Sequence, residues 1–267
     1  MIGDLIITSL ETISAFDVTT GAYKFTLDEL QNATISQGEE SSDITGKGGR
    51  KLSTLKRNKT ATISGTNGMV SSGLLALQTG GNLETKNTKV MWTDYLTVNS
   101  SHKATTSWVG VGTQDAEIKG LHVKNADGTL NTSLTQVATG TTLTSGKFTY
   151  KADDKELTFH TDIAAGTEIV VLYERYISAD VLENRSDVFT SKCIMYVDAM
   201  CEDKCGNLYR VQFYFPKVEF KGEFSFEMGD NQTVHNFEAD ALSGACGAAS
   251  TLWTYTVYGA NAEDVAA

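Results

Sequence analysis

The sequence predicts a mainly β protein: a β-sandwich or barrel with one short helix and a long arm, plus a small immunoglobulin-like β insertion. Three observations predict it. About one residue in eight is threonine, and β-branched side chains suit pleated surfaces. The chain has 24 glycines and a single proline, so its turns fall to Gly, Asn and Asp rather than to rigid corners. Residues 217–228 then alternate without a break. Val218, Phe220, Gly222, Phe224, Phe226 and Met228 share one parity, and Lys217, Glu219, Lys221, Glu223, Ser225 and Glu227 share the other. A strand sends successive side chains to opposite faces, so this run reads as an oily face backed by a charged one. At about 3.3 Å per residue it would span roughly 40 Å, more than a lone small domain needs. Pro216 sits where the apolar parity changes from odd (Phe213, Phe215) to even, which predicts a bulge or bend there.

The other elements follow in order. Ile13 to Val18 reads as a strand, 19–22 as a turn, and Tyr23 to Leu27 as a returning strand with Tyr23, Phe25 and Leu27 on one parity. Leu30 to Gln37 continues extended, a polar arm occupies roughly 38–57, and a strand follows from Lys59 to Ser64. Ser71-Ser72-Gly73 opens a short helix over Leu74 to Gln78, and Gly80-Gly81 stops it. The middle of the chain, 96–179, forms a second unit between two parts of one domain, 1–95 and 180–267. In it Phe148 and Tyr150 alternate, 152–155 turn, Leu157 and Phe159 alternate back, and an apolar run covers Glu168 to Tyr173. Lys192 to Cys201, Leu208 to Phe215, Phe237 to Leu242 and Leu252 to Tyr258 complete the strands.

A net charge of −11 speaks against gripping nucleic acid through its phosphates, which takes a basic surface. It is compatible with a surface past which nucleic acid slides, and equally with plain solubility. No export signal opens the chain and no run approaches the ~20 apolar residues of a membrane span. The expectation is a product made in the cytoplasm, without a membrane partner. Cys193, Cys201, Cys205 and Cys246 lack the paired ligands of a zinc site and read as reduced thiols. No nucleophile elbow, zinc-protease helix or Walker loop is present. Gly46-Lys47-Gly48-Gly49-Arg50 lacks the spacing of a phosphate loop and the Ser/Thr that holds magnesium. The expectation is no catalytic residue, no cofactor and no metal, and a structural role.

Within the arm the charges are split. Glu39, Glu40 and Asp43 come first, and Lys47, Arg50, Lys51, Lys56, Arg57 and Lys59 follow. Long loops without structure are uncommon unless functional. The split therefore suggests an inter-subunit arm, the acidic end of one copy meeting the basic end of the next. A solvated loop is the plainer alternative.

Several stretches together give the chain its family likeness. They are Glu11–Asp17 with Thr20-Gly21, Ile44–Arg50, the Gly65–Gly68 turn before the helix, Phe215–Val218, Gly222–Phe226 and Phe237–Leu242. In these the sequence resembles the major tail tube proteins of tailed bacteriophages, of the long-tailed type, over roughly 1–95 and 180–262. The resemblance implies a tail-tube-type sandwich flanked by one helix. It implies hexameric rings that share an inner barrel and stack into a hollow tube in the virion. Other tail proteins would meet the tube ends, and DNA would pass through the bore without sequence-specific binding. The arm would pack on neighbouring subunits and rings, and Glu219, Glu223 and Glu227 would face the bore. The 96–179 module departs from the family's minimal form and would be an insertion on the outer surface. A second reading is a host-surface or carbohydrate-binding sandwich with Trp92, Tyr95 and Trp108 as its platform, although core packing also accounts for those aromatics.

Overall fold

The computed structural model describes residues 4–125, 127–226, 233–243 and 250–259. In chain order the first strands are β1 (Leu5–Asp17), β2 (Tyr23–Leu27), β3 (Leu30–Thr45) and β4 (Lys51–Asn67), followed by helix α1 (Ser72–Thr79). Then come β5 (Leu83–Thr97), β6 (Lys103–Thr105), β7 (Ile118–Lys124), β8 (Leu130–Ser133), β9 (Thr135–Val137), β10 (Lys147–Lys151), β11 (Glu156–Phe159) and β12 (Glu168–Leu182). The last strands are β13 (Lys192–Asp203), β14 (Leu208–Phe220), β15 (His235–Ala241) and β16 (Thr254–Gly259). The mainly β class and the single α-helix agree with the sequence, among the described residues. The chain divides into two compact units, Met1–Leu83 with Leu182–Ala267, and Glu84–Val181.

The first unit is one sheet in the order β2-β1-β13-β14-β15-β4-β3, with β16 also paired to β14. It curls around a single core. Ile13, Phe25, Met195, Val197, Phe215, Val218, Phe237 and Ile63 come from the sheet, and α1 adds Leu74 and Leu77. Helix α1 begins where Ser71 Oγ accepts from the Leu74 N–H at 3.3 Å. It ends at Gly80, whose φ of 70° only glycine adopts freely. Any Cβ there would also meet the Phe189 carbonyl oxygen at 1.9 Å.

Pro216 marks a bulge, as its sequence parity requires. Cys193 pairs with Val218 and Met195 with Phe215, so two residues of β14 oppose one of β13. The buried parity changes from Val211 and Phe215 to Val218 and Phe220 across it. The long 217–228 ribbon does not form. β14 ends at Phe220, and the last rung is the Lys221 N–H donating to the Glu238 carbonyl at 2.7 Å. Phe224 and Phe226 lie beyond the end of the strand. Their rings lie 5.2 Å apart and both face the His235 ring. Aromatic clustering has won over the strand pattern. Met228 and Glu227 lie outside the described residues.

The second unit is a sandwich of two four-stranded sheets, β6-β11-β10-β9 and β5-β12-β7-β8. Both sheets feed one core: Phe148, Tyr150, Leu157 and Phe159 from the first, and Leu121, Ile169, Val171 and Tyr173 from the second. β9 and β10 run parallel, and the remaining pairs with a defined register are antiparallel.

Candidate assembly interface

The arm is not a loop. β3 and β4 form one hairpin from Leu30↔Asn67 to Thr45↔Lys51. A bulge divides it where Gly38 pairs with Thr60 and Glu40 with Arg57, leaving Asn58 and Lys59 opposite Glu39. Asn58 takes the left-handed conformation there, φ 52°, which asparagine tolerates better than branched residues. The inner half buries Ala61, Ile63 and Asn67. The outer half buries nothing, and its Ile44, Leu52 and Leu55 are 49%, 65% and 48% exposed. A short 3-10 turn, Lys47–Gly49, closes the tip, with Gly48 and Gly49 at φ 80° and 75°.

The split charges meet across the hairpin. Lys56 pairs with Glu39 at 2.5 Å and Lys51 with Asp43 at 2.7 Å. Asn58 Nδ2 donates to Glu40 at 2.6 Å. The Lys56 ammonium holds the Glu39 carboxyl below the usual carboxylate range, aided by Lys59. Lys47 and Arg50 at the tip, and Arg57 beside the bulge, make no ion pair among the described residues.

A second candidate surface is a set of strand edges. β16, β14, β13 and β1 lie side by side, each antiparallel to the next. β2 covers only Ile13–Phe16 of β1, so the outer edge of Leu5–Thr12 has no partner strand among the described residues. The outer edge of β16 has none either. Both free edges stand at the same height. Gly259, Tyr209, Cys201 and Ile7 form one row, and Thr256, Gln212, Asp198 and Thr12 another. Ile6 and Ile7, on opposite faces of β1, are 67% and 58% exposed. The sequence hid the first half of this strand because two bulges, at Ile7/Ser9 and Leu10/Thr12, break the period-two signal.

The face of these four strands that points away from the core carries Ser14, Phe16, Tyr196, Asp198, Gln212 and Tyr214. Tyr196 stacks on Tyr214 at 4.9 Å and meets Phe16 edge-on at 5.7 Å. Asp198 accepts from Gln212 at 2.9 Å and from Thr12 at 3.4 Å. Glu219, past the bulge, lies on the same face, in register with Lys192 and Asp240. Glu223 is exposed in the segment after β14.

The remaining residues singled out in the sequence are placed as follows. Cys193 and Cys201 are buried and free, and Cys205 is exposed. Burial pushes the Cys193 thiol up to about 12. Cys246 lies outside the described residues. No group of three or more metal-binding side chains occurs among the described residues. No helix among them is long and apolar enough to cross a membrane. Trp92 and Trp108 come together in the second unit. Tyr95 has the opposite parity to the buried Asp94 on β5 and points to the other face, 76% exposed.

Strand edges unpaired among the described residues and a hairpin whose outer half buries nothing define a class: a structural protein completed by association. The family is more specific. The model of the YomU/Tube protein family matches residues 5–256, and the chain belongs to that family. It is a phage tube protein, a structural component of the virion that assembles with itself and with other tail proteins. No curated protein matches the chain.

Proposed function

We propose that the chain forms hexameric rings that stack into the hollow tail tube through which DNA is ejected. The observation that carries this reading is the pair of level free edges. A four-strand antiparallel set ends on β16 and begins on β1, with an even number of strands. The β1 of a second copy would therefore lie antiparallel to β16 of the first and continue the alternation. Repetition of this head-to-tail contact closes a ring and removes both edges. The face away from the core then lines the bore, with Glu219 and Glu223 at one end. Glu227 belongs to the same proposal, outside the described residues. Carboxylates there repel phosphates and keep DNA from sticking.

The arm is proposed as the contact between subunits and rings. Its exposed Ile44, Leu52 and Leu55 supply apolar anchors, and Lys47, Arg50 and Arg57 supply unneutralised charge. Glu39, Glu40, Asp43, Lys51, Lys56 and Lys59 belong to the same proposed contact.

Electron microscopy of purified protein tests the ring directly. Sixfold rings or tubes are expected, and dispersed single copies at every concentration would sink the proposal. Replacing residues 40–57 by an Asn-Gly turn should leave a folded protein with unchanged circular dichroism and no tubes. Tubes of normal length from that variant would remove the arm from the interface. Glu219→Lys with Glu223→Lys should leave rings intact and slow DNA release from assembled particles. Unchanged release kinetics would remove those carboxylates from the bore.

A further inference from the structure

Within the second unit the Arg175 guanidinium lies between two indoles, 3.9 Å from the Trp108 ring centroid and 5.0 Å from that of Trp92. Its Nε and Nη1 are sealed from solvent without a hydrogen-bond partner. No carboxylate lies within ion-pair reach of it among the described residues. The nearby acid is already committed. Asp94 Oδ1 accepts from Trp92 Nε1 at 2.9 Å and from Ser107 Oγ at 2.9 Å. Its Oδ2 accepts from the Ser107 N–H at 2.7 Å and from the Tyr173 hydroxyl at 2.8 Å. Those donors hold Asp94 ionised despite its burial, and burial next to it pushes the Tyr173 hydroxyl up to about 12.

The indoles are not buried by this arrangement. Trp92 is 39% exposed and Trp108 48%, with Val109 at 46% beside them. Lys155 reaches the same spot, its Nζ donating to the Ser107 carbonyl at 3.3 Å, and pairs with no carboxylate among the described residues. In a chain of net charge −11 this is a small cationic patch floored by aromatic rings. Asp94 rigidifies it by fixing Trp92 and the Ser107-Trp108 backbone.

We propose that Trp92, Trp108, Arg175 and Lys155 form a binding patch for a saccharide that carries an anionic group. The chemistry selects that occupant. Flat, half-exposed indoles offer their faces to the C–H face of a sugar ring. The Lys155 ammonium, exposed and lacking a carboxylate partner among the described residues, meets carboxylate or phosphate on that sugar, and the guanidinium sealed behind the rings adds positive potential. The stacked guanidinium polarises both rings and keeps its own charge at the patch. The proposal does not depend on ring assembly. It concerns side chains of the second unit alone.

Calorimetric titration of the full chain with three probes tests it: glucuronate-terminated oligosaccharide, glucose 1-phosphate and maltose. Saturable binding of one or both anionic probes is expected, at least about tenfold tighter than maltose. The stronger of the two identifies carboxylate or phosphate as the anion. Trp108→Ala should abolish binding. Because that change can disturb the core, Lys155→Asn provides a second variant. Lys155 has φ 58°, which asparagine accepts, so the fold is kept while anion preference falls severalfold. Absence of heat with every probe at about 10 mM, or equal affinity for maltose and the anionic probes, overturns the proposal. So does undiminished binding in Lys155→Asn.

Discussion

The two halves of the β3–β4 hairpin share one ladder and have opposite energetics. The inner half is held by burial. Ile63 is fully buried, Phe237 of β15 pairs with Gly65, and a Cβ at Gly65 would meet the Asn32 carbonyl oxygen at 2.5 Å. The outer half, beyond the Asn58 bulge, has only cross-strand hydrogen bonds and surface ion pairs. An isolated two-stranded ribbon is marginal in water. The inner half therefore answers to this chain's own fold, and the outer half to whatever it meets.

The largest effect should come from the inner half. Ile63→Ala removes a fully buried side chain from a core shared by seven strands and α1. A loss of about 2–5 kcal/mol in denaturant unfolding is expected. A loss no larger than that of an exposed substitution would show that the inner ladder is as loose as the outer one.

A smaller, pH-dependent effect is expected from His235, whose strand pairs with the inner half of β4. The Ser71 N–H donates to its Nδ1 at 3.2 Å, so the ring proton is on Nε2, which donates to Gln78 Oε1 at 2.8 Å. Phe224 and Phe226 close the site, and none of these partners is charged. Burial lowers the imidazole below its ordinary 6.5. The folded state thus refuses a proton that the unfolded chain accepts. Stability is complete above the unfolded value and falls as pH drops through it towards the lower folded value. The melting temperature of the wild type should decline between about pH 7 and 5.5, before most carboxylates titrate. His235→Gln should flatten that slope. An unchanged slope in the variant would place the pH response elsewhere.

The same contrast explains how much was legible. Period-two runs facing the first core, Tyr23–Leu27, Lys192–Cys201 and Leu208–Phe215, read directly as strands. Ser71 and Gly80 gave the helix ends, and Pro216 its bulge. Burial imposes those patterns, so they survive in the sequence. The outer hairpin buries nothing, so nothing in its residues announced strands; only its charges stood out. The edge of β1 was masked by two bulges, and β14 ended early because Phe224 and Phe226 turn to His235. The Trp92–Arg175–Trp108 stack joins three strands or loops distant in sequence, and spacing carries no trace of it.

The smallest effect belongs to the outer half. Glu39 and Lys56 stand opposite one another on exposed backbone and are solvated on most sides. Exposed pairs lose side-chain entropy and are screened by salt, and their net worth is often unmeasurable. A double-mutant cycle on Glu39→Gln and Lys56→Gln should give a coupling within experimental error of zero for unfolding of the isolated chain. Tube assembly should respond differently. If a neighbouring copy covers the hairpin, the pair loses solvent screening, and either single change strands a charge in the contact. Assembly should then fall with each single substitution and recover partly in the double. Equal null results for unfolding and assembly would mean that the outer half remains in water in the finished tube.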